Sequence, residues 1–353
     1  MSTMRNTMPE TMPDAVPDAA PQRLRATLRR TMPWLIRREI WENKGMLVWV
    51  PLAISALLIA FVLIAAVMGH GGTIHIDGAE IGGKEVVIKL GERQKLAATE
   101  AAATAYPALA MVLYASLAFM VFFYSLGALY DERRDRSILF WKSLPVSDTA
   151  TVLSKAAFAL LCIPLLVIVV ELATSLVMLA IVLAMAASKG VNLVGPVLAH
   201  PQFWLGLVKV PSLLPVYALW ALPTVGWLLL VSAWARSKVF LWAIGVPGLA
   251  TMLLFWAEKN LDLPLNAAWL VEKFISRLLT GVMPGTWLMA GGVAEHASNM
   301  DIVTSRQGPV AALDMIYRSS WTAVATPEMI GGAVAGAAMI AAAIWLRRRR
   351  EEG

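Results

Sequence analysis

The chain has 353 residues, of which 58% are hydrophobic and 15% charged, and it carries a net charge of +6. Soluble domains run to roughly 45–50% apolar and about 25% charged residues, so an ordinary water-soluble globule and a disordered chain are both excluded. The composition is that of a membrane protein, and its single cysteine, Cys162, excludes an internal disulfide or a cysteine-built zinc or redox site.

The first 45 residues are polar. Residues 1–21 hold no apolar core of the kind a secretory signal needs, so no cleavage is expected. From Arg23 to Lys44 basic and apolar residues interleave. Leu24 and Leu28, like Ile36 and Ile40, are four apart, Trp34 and Trp41 are seven apart, and Pro33 is expected to divide two short helices. Arg29, Arg30, Arg37 and Arg38 beside Trp34 and Trp41 suit a helix lying on a membrane, aromatics at headgroup level and arginines near anionic lipid. The plainer alternative is a solvated basic lead-in that fixes topology.

A bilayer core of roughly 30 Å needs about 20 apolar residues in a helix. Spans are expected at 46–68, 107–129, 156–187, 212–234, 239–257 and 329–346. The third is long enough to read as one tilted or protruding helix, kinked at Pro164. The fourth and fifth are separated only by 235–238, which forces a tight helical hairpin. Within 69–106, the alternation at Ile74 and Ile76 and the run Val86 to Ile88, set among glycines, suggest a small β-hairpin.

With both termini inside, the segments 1–45, 131–155, 235–238 and 347–353 hold 19 Lys/Arg in 81 residues, against 11 in 133 for 69–106, 188–211 and 258–328. That is the positive-inside bias. It explains the net charge without nucleic acid. The expected fold is therefore an all-α polytopic membrane protein with six transmembrane helices, N-in and C-in. A polar tail and interfacial helix (1–45) precede the membrane domain (46–346), and a basic tail (347–353) follows. Residues 281–293 are apolar but too short to span and carry Pro284 beside Gly285; a re-entrant segment and a packed surface helix both fit.

The loop 131–155 is the richest stretch. Asp131, Glu132, Arg133, Arg134, Asp135 and Arg136 form a mixed-charge cluster, followed by an apolar run ending at Trp141, then Leu144, Pro145 and Val146. Mixed charge with a small aromatic anchor suits docking on another protein. A solvated charge run capped by Ser147 or Asp148 at the next helix fits as well.

This loop phrase, with the lead-in Arg37 to Gly45 (RREIWENKG) before the first span and a broken segment before the last, resembles permease subunits of type 2 ABC exporters (ABC-2). The resemblance runs over essentially the whole chain. It implies that the Arg23–Lys44 region is an interfacial connecting helix and that Arg136–Asp148 contains a coupling helix seated on a separate ATPase subunit. Arg133, Arg134, Arg136 and Trp141 would contact that ATPase, with Asp131, Glu132 and Asp135 pairing across the interface or within the loop. Two ATPases and a second permease subunit, identical or different, would complete the assembly. ATP and Mg would be bound by the partner and no cofactor by this chain. That agrees with its motifs: no G-x-x-x-x-G-K-[ST] and no H-E-x-x-H occur, and His70, His75 and Asp77 are too few ligands for a metal.

Glu171 is the ionisable residue deepest in a span. It should face protein or water, as a pathway residue or bonded to neighbouring hydroxyls. Gly332 and Gly336 form a GxxxG, suited to a dimer contact or to internal packing. Two other functions compete with the exporter. An ion-coupled secondary transporter would normally need more intramembrane ionisable groups than Glu171, and a membrane enzyme or scaffold lacks a visible catalytic constellation.

Overall fold

A computed structural model describes residues 19–68, 74–76, 79–81, 91–135, 147–264, 266–290 and 314–349. The protein is an all-α polytopic membrane protein. Six helical stretches are long and apolar enough to cross a bilayer: Gly45–Val67, Glu92–Arg134, Asp148–Ser188, Pro201–Trp234, Val239–Leu261 and Pro327–Arg349.

The first helix, α1 (Ala19–Glu42), runs through Pro33 rather than dividing there. Proline removes one backbone donor from a helix interior. The helix continues because the turns beyond it are held by tertiary packing, with Leu35 and Glu39 buried one turn apart. A π turn, Gly45–Trp49, leads into α2 (Val50–Val67). Strands β1 (Ile74–Ile76) and β2 (Ala79–Ile81) then pair antiparallel, His75 opposite Glu80. The expected hairpin partner, 86–88, lies outside the described residues.

Helix α3 (Glu92–Ala105) occupies part of what the hydropathy pattern leaves as an outside loop. A short 3-10 turn joins it to α4 (Leu113–Gly127), and α5 (Tyr130–Arg134) carries the start of the charged loop. The third span is longer than its apolar core: α6 (Asp148–Ala157), a π turn at Phe158–Cys162 and α7 (Ile163–Ser188) form one 41-residue helical stretch. At 1.5 Å per residue it extends about 60 Å, well beyond a bilayer core. The π turn immediately before Pro164 absorbs the backbone mismatch that proline imposes.

Two helices missed in the hydropathy pattern, α8 (Val194–Ala199) and α9 (Pro201–Ser212), precede α10 (Leu214–Trp234). After α10 the chain turns in four residues, with Lys238 in the left-handed region at φ 50°, into α11 (Val239–Leu261). Next come α12 (Ala267–Leu270), a π turn at Val271–Ile275, α13 (Ser276–Thr280) and, beyond a turn, α14 (Trp287–Ala290). A helix α15 over 314–323 precedes α16 (Pro327–Arg349).

The core lies between α4, the α6–α7 stretch, α10 and α16, where Leu117, Val121, Phe158, Ile163, Val225, Leu229 and Ile340 are buried together. Helices α10 and α16 approach closely because glycines meet: a Cβ on Gly226 would stand 2.6 Å from the Gly336 carbonyl oxygen, and one on Gly336 would stand 2.6 Å from the Leu222 carbonyl carbon. Gly336 therefore serves internal packing. The broken segment also packs inward. Thr224 Oγ1 donates to the Arg277 carbonyl (2.6 Å), Tyr217 OH to the Val282 carbonyl (3.1 Å), and Trp220 Nε1 to Thr286 Oγ1 (2.8 Å). Residues 281–290 are thus a turn and a short helix held against α10, and 291–293 lie outside the described residues.

Candidate functional site

One end of the bundle gathers charge from four parts of the chain. On α1 the buried face presents Arg38 and Glu39, while Trp34, Arg37 and Trp41 remain exposed. Helix α6 begins at a Ser147 cap, whose hydroxyl accepts from the Ala150 N–H at 3.2 Å, with Asp148 in the first turn, where the helix dipole favours an acid. Seven residues on, Lys155 points inward. Glu132 comes from α5 and Arg347 from the last turn of α16.

These groups form a buried ion cluster. Lys155 Nζ bridges Glu39 Oε1 (2.9 Å) and Glu132 Oε1 (3.1 Å). Glu132 also receives Arg38 Nη2 at 3.3 Å and, on its other oxygen, Arg347 Nη1 at 3.0 Å. Arg347 Nε reaches Asp148 Oδ1 at 3.1 Å, and Tyr124 OH donates to Glu39 Oε2 at 2.7 Å. Glu39 is 2%, Lys155 3% and Glu132 7% exposed. Burial at this level is tolerable only because three cations face three carboxylates with hydrogen-bonding geometry. Arg38 also binds Glu42 at 2.7 Å. Burial works against the Arg38 charge, but the Glu42 hydrogen bond and the nearby carboxylates raise its pKa above the ordinary value.

The other members of the mixed-charge run divide by direction. Arg133 turns inward and caps α10, donating to the Ser232 and Ala235 carbonyls, the latter at 3.0 Å. Ser232 Oγ in turn accepts the Leu129 and Tyr130 N–H groups, each at 3.0 Å. Asp131, Arg134 and Asp135 are exposed, Arg134 Nε standing 3.6 Å from Asp135. Both stems of the loop are therefore clamped to the bundle. Arg136, Trp141, Leu144 and Pro145 lie outside the described residues. Arg29 and Arg30 fall on α1.

Composition and hydropathy single out Arg38 and Glu132 but miss Glu39, Asp148, Lys155 and Arg347 as one unit. A local signal exists: Glu39 is one turn after Leu35, and Lys155 sits among Val, Leu, Ala and Phe at the edge of an apolar run.

Glu171 is elsewhere, about 24 Å along the same helical stretch from Lys155. It is buried, and accepts from Ser175 Oγ at 2.9 Å and Tyr114 OH at 3.3 Å, with no ion pair among the described residues. Beside it Thr174 Oγ1 donates to Ser55 Oγ on α2 at 2.8 Å. Gly332 faces Arg277, whose guanidinium fills the space a side chain would need. Among the described residues no group of three His, Cys, Asp or Glu could hold a metal ion. Comparison with protein-family models, curated proteins and solved structures returned no match.

Proposed function

We propose that this chain is the transmembrane permease subunit of a type 2 ABC exporter, moving a hydrophobic or amphipathic compound with ATP hydrolysed by a separate partner. The observation that carries the proposal is the buried ion cluster. It ties the N-terminal helix, both stems of the loop 131–155 and the end of the last span into one block beside the loop that would dock on the ATPase. A force on that loop would then be felt by α1, α6 and α16 together.

In this arrangement the cluster end is cytoplasmic, as the Lys/Arg count favours, and the membrane is the bacterial inner membrane. Exposed Trp34, Arg37 and Trp41 on α1 suit an interface with anionic lipid. Asp131, Arg134 and Asp135, with Arg136 and Trp141, are the groups left for the ATPase, since Glu132 and Arg133 are engaged within the chain. A second permease subunit would complete the pathway.

The experiment is partner retention by the Arg134→Glu/Trp141→Ala double variant. It should insert normally and lose the ATPase subunit; normal retention would remove the coupling assignment. A second reading, ion-coupled secondary transport, is favoured by one observation, the Glu171 carboxyl held by two hydroxyls inside the bundle. It predicts that Glu171→Gln abolishes transport while no ATPase is required.

A further inference from the structure

The end of the bundle opposite the ion cluster also holds charge, and one cation there has no carboxylate partner among the described residues. Arg277, on α13, is only 7% exposed. Its guanidinium lies over the Trp220 ring, 3.8 Å from the centroid, and donates to the Glu328 carbonyl from Nη1 (2.5 Å) and to the Trp220 carbonyl from Nη2 (3.3 Å). Met329 Sδ is 3.9 Å from Nη2. All of these acceptors are neutral. Among the described residues the Nε–H has no acceptor and Arg277 forms no ion pair.

The position makes the imbalance worse. The guanidinium sits at the N-terminal end of the 23-residue α16, where aligned peptide dipoles already place partial positive charge. Along α10, Trp220 is about 9 Å beyond the helix start, so Arg277 lies below the bundle's end rather than on it. Removing a cation to such a place without a carboxylate is costly, and a buried ionisable group in a membrane bundle is most often functional. The acid beside it among the described residues, Glu328, is 41% exposed and stands 3.9 Å from Lys273. Phe274, Met283 and Ile330, within a few residues of Arg277 or Met329 in the chain, are exposed apolar side chains.

We propose that Arg277 binds the headgroup of an anionic amphiphile, a lipid-like molecule bearing a phosphate or carboxylate whose apolar part lies along Phe274, Met283 and Ile330. The headgroup accepts the unused Nε–H, and the Glu328 carboxylate, one residue's length from the guanidinium through the Glu328 carbonyl contact, competes with it. Gly332 is part of the site, because any side chain there would take the place of the guanidinium. The inference rests on the exporter reading only for the step from an amphiphile bound to an amphiphile transported.

The test uses the intact chain in uncharged detergent, without ATP or partner. Short-chain phosphatidylglycerol, short-chain phosphatidylcholine and inorganic phosphate are titrated separately. Phosphatidylglycerol should bind saturably, and Arg277→Gln should weaken it by about 10- to 100-fold, the value of one or two charge-assisted hydrogen bonds. Arg277→Lys should recover most of the affinity, and Glu328→Gln should tighten binding, an opposite sign that a purely structural arginine would not produce. Equal binding by wild type and Arg277→Gln, or equal binding of phosphatidylcholine, overturns the site. Inorganic phosphate binding as tightly as phosphatidylglycerol overturns the amphiphile. Should Arg277→Gln fail to elute as a single species, an unchanged affinity in Glu328→Gln overturns the site instead. A chain that binds phosphatidylglycerol but has no ATPase partner keeps the site and loses the exporter reading.

Discussion

Lys155→Met is the sharpest perturbation of the ion cluster. The ammonium stands 2.9 Å from Glu39 and 3.1 Å from Glu132, and all three side chains are no more than 7% exposed. Methionine keeps much of the volume and removes the charge. Glu132 retains Arg38 and Arg347, but Glu39 is left with the Tyr124 hydroxyl, a neutral donor. Breaking a buried pair from one side costs about 3–5 kcal/mol, because the surviving charge stays buried. The double variant Lys155→Met/Glu39→Gln removes both charges and should recover at least about 1 kcal/mol of the summed single costs. Unfolding free energy in mixed micelles, measured for wild type, both single variants and the double, closes the cycle. Additive costs, or a Lys155→Met loss below about 1 kcal/mol, would refute the description of these residues as one coupled unit.

Packing and hydrogen bonding give further expectations. Gly336→Ala should destabilise by about 1–3 kcal/mol, since its new Cβ meets backbone that cannot yield, while Gly248→Ala, with open space around it, should be neutral or better in the same unfolding assay. Glu171→Leu strands the Ser175 and Tyr114 hydroxyls and should cost about 1–3 kcal/mol, whereas Glu171→Gln, which still accepts a hydrogen bond, should cost less; equal losses would contradict the hydroxyl contacts. Lys238→Gly relieves a left-handed residue in the α10–α11 turn and should raise stability by up to about 1–2 kcal/mol, read as an upward shift in Tm.

Much of the layout is legible in the amino-acid order because lipid imposes it. A helix that satisfies its own backbone and stays apolar for about 20 residues is the simplest way across, so all six spans stand out by hydropathy alone. Helices α3, α8 and α9 do not, because their residues are mixed and their order comes from tertiary contacts such as Tyr106 OH with the Phe203 carbonyl at 3.0 Å. Pro33 was a local signal overridden by packing of the next turns. The ion cluster was half visible: Arg38 and Glu132 stand in obvious charge runs, but Lys155 lies 116 residues from Glu39 and Arg347 lies 215 residues from Glu132. No spacing rule joins such residues. Arg277 was hidden for the same reason, its setting built by Trp220, Glu328 and Gly332 from two other helices.

The central claim, a permease driven by a separate ATPase, is tested most directly by purifying the chain from its native membranes in mild detergent, identifying what accompanies it and assaying ATP hydrolysis. The exporter proposal predicts a stoichiometric subunit carrying a P-loop, with hydrolysis in the purified complex. A chain that emerges alone, with no hydrolysis under conditions that preserve the ion cluster, would contradict it and make Glu171 the next residue to change.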